Sequence, residues 1–246
     1  MRCVGILGGM GPGATVLMMQ RLVAAVPAAD DADHIPLIVD QNPQVPSRIA
    51  HLIEGTGPDP APVLAAMAQR LAAAGAEALA MPCVTGHHYA PAIRAAAAVP
   101  FLDMVALSVA RATDLARIAG EVEGAAVGIL ASPAVRRVGL FEAPLAKAGL
   151  VPLYPRDPAA LLAAIRRIKA EGPSAGAGAA LRAASEDLLS QGARVQMIAC
   201  TELSLVAGGA KGAAWFDTLD VLVEAVRDFA LEAGTPEVAG RQGAVH

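Results

Sequence analysis

Short apolar runs alternate along the chain with longer segments in which apolar residues recur every three or four positions. Residues 3–7 (Cys-Val-Gly-Ile-Leu) form a first run that ends in glycines, and a helical pattern follows over 13–26. Runs at 35–39, 76–81, 125–130, 150–154 and 195–199 read as further strands. Helical patterns cover 61–74, 87–98, 140–148, 159–170, 176–190 and 219–233. Gly75, Gly149 and Gly192 close three of them, and Pro100 stops a fourth. Apolar strands separated by helices predict an α/β fold with parallel strands and right-handed crossovers.

The pattern also repeats. Val4-Gly5-Ile6-Leu7 recurs as Val127-Gly128-Ile129-Leu130. Ala74-Gly75-Ala76, leading to Met81-Pro82-Cys83, matches Gln191-Gly192-Ala193, leading to Ile198-Ala199-Cys200. In each half a helix ends at glycine, a strand follows, and a cysteine stands at its C-terminal end. Val84-Thr85 follows one cysteine and Thr201-Glu202 the other. Two matches in the same order describe one duplication. The alternative is two unrelated buried strands.

Composition narrows the function. Of 246 residues, 55% are hydrophobic, 17% charged and 3% aromatic, and the net charge is -4. Such a chain is not disordered. It offers neither a basic surface for nucleic acid nor aromatic residues to stack bases. The uncharged stretch 3–19 is broken by Gly8-Gly9-Met10-Gly11-Pro12-Gly13, so it reads as strand, turn and helix rather than a signal peptide, and no membrane span is expected. Three cysteines give no disulfide framework, which fits a reducing cytoplasm. His34 and His51 lack companions at metal-ligand spacing, so no metal is expected.

Ligands of parallel α/β sheets bind beyond the C-terminal ends of strands, where Cys83 and Cys200 both fall. If the halves pack about a pseudo-twofold axis, the two thiols approach one ligand from opposite faces. A cofactor-free racemase requires that geometry: one thiolate removes an α-proton and the opposite thiol returns one. Backbone N–H groups after each cysteine, with Thr85 and Thr201, are natural donors to the developing enolate. A helix N-terminus after each cysteine would lower its pKa. Free cysteine is otherwise a small buried hydrophobe, the reading that suits Cys3.

Gly8-Gly9-Met10-Gly11-Pro12, Met81-Pro82-Cys83-x-Thr85-x-His87 and Cys200-Thr201-Glu202 together resemble the aspartate/glutamate racemase family. The resemblance implies two pseudo-symmetric lobes, each a short parallel sheet flanked by helices, with the active site in the cleft between them. It implies a first lobe of 1–98 plus 213–246 and a second of 99–212, the C-terminal helix returning to the first. It further implies a PLP-independent enzyme without cofactor, acting on a small amino acid and commonly a homodimer. By motif, Cys83 and Cys200 resemble the catalytic acid/bases. Arg48 resembles a guanidinium that binds a substrate carboxylate, and Lys169 a lysine facing an acidic substrate. Met10 and Gly11 resemble the loop lining the cleft, and Val84, Thr85, Thr201 and Glu202 occupy the positions beside the cysteines.

Four positions depart from the family pattern. Val84 stands where the family usually has Asn, Val135 and Val138 where it tends to have Thr and Ser, and Ile49 where Thr commonly follows the arginine. Losing a donor to a charged group typically costs about 1.5–3 kcal/mol, so either Asn42 and backbone N–H groups compensate or the substrate is not plain aspartate. Rival readings are a dinucleotide site, from Gly9-x-Gly11-x-x-Ala14 with Asp40, and a non-catalytic amino-acid or dicarboxylate binding protein. Maleate isomerase, hydantoin racemase and arylmalonate decarboxylase chemistry remain open within the enzyme class. His87 could help keep Cys83 ionised or be structural. The segment 172–176 reads as a loop over the cleft, and 234–246 as a frayed tail.

Overall fold

The computed structural model describes residues 1–120, 123–209 and 214–232, and the tail expectation lies outside them. The first half runs β1 (Val4–Gly8), α1 (Pro12–Ala25), β2 (Leu37–Gln41), α2 (Ala61–Ala73), β3 (Ala78–Ala80), α3 (Ala90–Ala96). The second begins with α4 (Met104–Ile118) and continues β4 (Ala126–Leu130), α5 (Pro133–Arg137), α6 (Glu142–Lys147), β5 (Val151–Leu153). It ends with α7 (Pro158–Glu171), α8 (Ala175–Ser190), β6 (Val195–Ile198), β7 (Trp215–Asp217) and α9 (Thr218–Leu231). The strands form two sheets, ordered β2-β1-β3 and β5-β4-β6-β7, and every pairing is parallel. Among the described residues, no helix is long and apolar enough to cross a membrane.

The repeated sequence motifs touch one another. A Cβ on Gly5 would lie 2.8 Å from the Ala76 Cβ, and one on Gly128 3.2 Å from the Ala193 Cβ and 2.9 Å from Leu188. The Val-Gly-Ile-Leu strand and the Gly-Ala helix exit are therefore two halves of one contact. The missing side chain lets the end of α2, or of α8, settle onto its sheet. The flanking residues divide by strand parity. Val4, Ile6, Val127 and Ile129 enter one large central core, while Leu7 and Leu130 face two smaller ones.

The chain crosses between the two sheets twice. Phe101 bridges Leu79 beside the first sheet, and Trp215–Asp217 pairs with β6 in the second. After each crossing an aspartate caps the next helix: Asp103 accepts from Val105 and Ala106 N–H, Asp217 from Leu219 N–H. Helix α4 then packs on β6, and α9 packs on both α1 and α4. The Arg2 N–H donates to the Ala230 carbonyl, so α9 closes against the start of the chain.

Differences from the sequence expectations are local. Helix α4 and strand β7 were not among the predicted elements. The helix expected over 87–98 begins instead as a 3₁₀ turn, Thr85–Tyr89. The segment 172–176 is a short joint between α7 and α8, with Ser174 capping the second through the Ala177 N–H. None of 172–176 lines the cleft described next.

Candidate active site

The C-terminal ends of β1, β3, β4 and β6 converge on a cavity of about 440 Å³ between the two sheets. Of the expected site residues, Met10, Gly11, Arg48, Cys83, Thr85, Lys169, Cys200 and Glu202 line it. Both cysteines are nearly buried, at 6% and 7% exposure, Cys83 just beyond β3 and Cys200 just beyond β6. The cavity also meets the N-terminal turn of α1 through Pro12 and Gly13. That end of a 14-residue helix carries unpaired N–H groups and favours anions. The turn leading to it needs glycine at position 9. Its φ is +92°, and a Cβ there would come within 2.4 Å of the Asn42 backbone.

One polar chain runs along the second-sheet wall. The Cys200 thiol donates to Glu202 Oε2 at 3.2 Å. Glu202 Oε1 accepts from Lys169 Nζ and from the Gly11 N–H, the latter at 3.1 Å. Burial, reinforced by the Glu202 charge, pushes the Cys200 thiol well up, and the Lys169 ammonium only partly offsets this. This corrects the expectation of a helix N-terminus lowering Cys200. Burial would depress Lys169, but Glu202 and both cysteines outweigh it and hold the ammonium charged. Lys169 thus lies within electrostatic reach of both sulfurs.

Two expected contacts do not form. Val84 is 2% exposed and packs in the central core rather than the cavity. Thr201 is buried too, and its hydroxyl donates to the Pro82 carbonyl at 2.9 Å. That bond ties the strand end bearing Cys200 to the one bearing Cys83. Position in the repeat identified the neighbours of the cysteines, but side-chain parity turns these two inward. Val135 also faces the core, so among these departures Ile49 is the one that lines the cavity. Asn42 does not line the cavity: its Oδ1 accepts from the Gln44 N–H and its Nδ2 donates to the Met67 sulfur.

Arg48 folds back onto the Val45 and Pro46 carbonyls through Nη1, while its Nε is buried without a partner. His87 is buried and neutral: burial lowers its pKa, Nδ1 meets the Cys83 carbonyl, and Nε2 accepts from the Met104 N–H. Both ring nitrogens are therefore committed to backbone, which fixes the Cys83 turn to the start of α4 and leaves no nitrogen for the thiol. Asp40, the acid of the dinucleotide reading, is held by Arg70 away from the cavity. Among the described residues, no group of three or more His, Cys, Asp and Glu could hold a metal ion.

Ser132 was missed. It lines the cavity, and its hydroxyl lies 3.4 Å from that of Thr85. The signal was present in the repeat, which aligns Ser132 with Gly9 once Leu130 is set on Leu7. Ile165, Ile168 and Leu205 supply an apolar wall that no motif announced.

Fold and site together define a two-lobed α/β protein with one cysteine from each sheet facing a shared anion-favouring cleft. A family model described as Asp/Glu/Hydantoin racemase matches residues 7–226, and the chain belongs to that family. Its fold is similar to that of Picrophilus torridus aspartate racemase, at 22% identity, 94% coverage of both chains and a TM-score of 0.77. An aspartate racemase homologue from Pyrococcus horikoshii is similar at 20% identity, covering 94% of this chain and 99% of that one, with a TM-score of 0.70. The glutamate racemase of Francisella tularensis, solved with D-glutamate, matches at 14% identity over 93% of this chain and 80% of its own, with a TM-score of 0.61.

Proposed function

We propose that this protein racemises an acidic or related amino acid by proton transfer between Cys83 and Cys200. The observation that carries the reading is the pair of cysteines at equivalent strand ends of two sheets, lining one cavity with Arg48 and Lys169. Arg48, with an unpartnered buried Nε, supplies a planar donor set for a substrate carboxylate. The start of α1 favours a negative charge at the same place.

Cys200 rests as a thiol, because burial and Glu202 disfavour its anion. In that protonation state it is the acid. The Cys83 thiolate takes the α-proton, the electron pair of the broken C–H bond passes to the α-carboxylate as an enolate, and the Cys200 S–H protonates the opposite face. Cys83 ends as the thiol and Cys200 as the thiolate, which is the starting state for the reverse enantiomer. Lys169, within reach of both sulfurs, opposes the negative charge wherever it resides. Each positioned acid–base partner contributes typically about 10²–10⁴-fold.

The test is α-hydrogen exchange in D₂O, followed by NMR with D- and L-aspartate, glutamate and a wider amino-acid panel. Wild type should exchange and invert at least one of them, with inversion lost in both Cys83→Ala and Cys200→Ala. No exchange with any amino acid would overturn the reading and leave a binding protein, or an enzyme of another reaction, on the same fold.

A further inference from the structure

A second cavity, of about 410 Å³, shares the wall residue Ser132 with the first. Ile53, Ala131, Pro133, Pro155, Pro158 and Leu161 make most of its surface. Prolines bring no N–H donors, so its polar capacity comes from Ser132, Tyr154, Arg136 and Arg137. Most of that capacity is already spent. Ser132 faces Thr85, the Tyr154 hydroxyl donates to Glu142 at 3.0 Å, and Arg137 Nη1 donates to the Ile53 carbonyl at 3.0 Å.

Arg136 differs. Its guanidinium carbon lies 5.2 Å from the Tyr154 ring centroid, and its side chain has no hydrogen bond or ion pair among the described residues. Arg137 has no carboxylate partner there either. Glu142, the nearby acid, is engaged by the Tyr154 hydroxyl and the Phe141 N–H. The result is an apolar chamber of ligand size with an unneutralised cation on its wall. A guanidinium stacked on an aromatic ring keeps its in-plane N–H groups free for a carboxylate.

We propose that this second cavity binds a small hydrophobic carboxylate, its apolar body against Pro133, Pro158 and Leu161 and its anionic group on Arg136. The occupant touches three segments that adjoin walls of the catalytic cleft. Ser132 contacts Thr85, Ile53 lies in the turn Ala50–Glu54 just after Arg48 and Ile49, and Leu161 stands one turn before Ile165 on α7. The same chemistry has two sources: the outer part of a long substrate whose α-carbon lies between the cysteines, or a separate effector molecule. The site stands on its own geometry, whatever amino acid the cleft takes.

The probe is 4-phenylbutanoate, titrated onto the full chain by calorimetry and saturation-transfer NMR. Saturable one-to-one binding is expected. It should weaken at least tenfold in Arg136→Gln and at least tenfold for the neutral 4-phenylbutanamide, and persist in Arg48→Gln. Absence of saturable binding overturns the proposal. So does binding that survives Arg136→Gln but is lost in Arg48→Gln, which would put the probe in the cleft, and equal binding of the amide overturns the role of charge. Competition with an amino acid that undergoes α-exchange separates the sources: mutual exclusion identifies one long substrate, and simultaneous binding a distinct effector. Because the readout is binding, its failure is distinguishable from a failure of the racemase reading.

Discussion

At Cys200 burial and two neighbours act on one proton. Burial and the Glu202 carboxylate hold it on sulfur, while Lys169 pulls toward the thiolate. In a chain with Cys3 and Cys83 replaced by alanine, Glu202→Gln should move Cys200 ionisation to lower pH, and Lys169→Met should move it higher. Ultraviolet thiolate absorbance against pH reads both, and unchanged curves would refute the account. The sign for stability follows from the raised folded value. Above the ordinary value near 9.0 the unfolded chain ionises while the folded one stays protonated. The stability Cys200 contributes is therefore fully present below that pH and is lost as pH rises toward the folded value. The sequence showed Cys83 and Cys200 because a repeat put a chemically rare residue in register. It could not show that Val84 faces the core or that the Thr201 hydroxyl is spent on Pro82, since both depend on which way a strand end turns.

Among the elements, β1, β4 and β6 were legible as apolar runs because both of their faces are buried. Helix α4 was not, for a physical reason. Its buried face is built largely of small residues, Ser108, Ala112 and Ala116, while Ile118 at its end is exposed. The apolar periodicity is therefore weak, although the helix is tightly packed. Its cap and that of α9 are equivalent in position and unequal in strength. Asp217 is 2% exposed, and it binds Arg21 and accepts from Ser204 as well as capping α9. Asp103 is more accessible, and it caps α4 and pairs with Arg94. Removing one partner of a buried ion pair typically costs about 3–5 kcal/mol, so Asp217→Ala should lose that much. Losing a partly buried helix cap typically costs about 0.5–2 kcal/mol, the loss expected of Asp103→Ala. Urea denaturation of the two variants measures the difference, and equal losses would show that the two caps are not distinguished by burial.

At the scale of the molecule, the two sheets are not independent. One core joins Val4 and Ile6 of the first sheet to Val127, Ile129 and Met197 of the second, with α4 and α9 contributing Met104, Ala112, Leu219 and Leu222. The chain swaps sides twice, so each sheet depends on a helix reached through the other half. Unfolding should accordingly follow a single cooperative transition, with fluorescence of Trp215 and far-ultraviolet dichroism coincident in urea. Two separated transitions would show that the lobes fold as separate units.

Most of the strands and helices, the repeat, the two cysteines and the family were written in local patterns, because apolar period and repeated motifs survive in one dimension. Tertiary structure decided what depends on direction and distance. It turned Val84, Val135 and Thr201 away from the cleft, brought Ser132 into it, joined Glu202 to Lys169 and Gly11 across long stretches of chain, and committed both nitrogens of His87 to backbone. Those outcomes rest on side-chain parity and close packing between segments far apart in sequence, which no local pattern encodes.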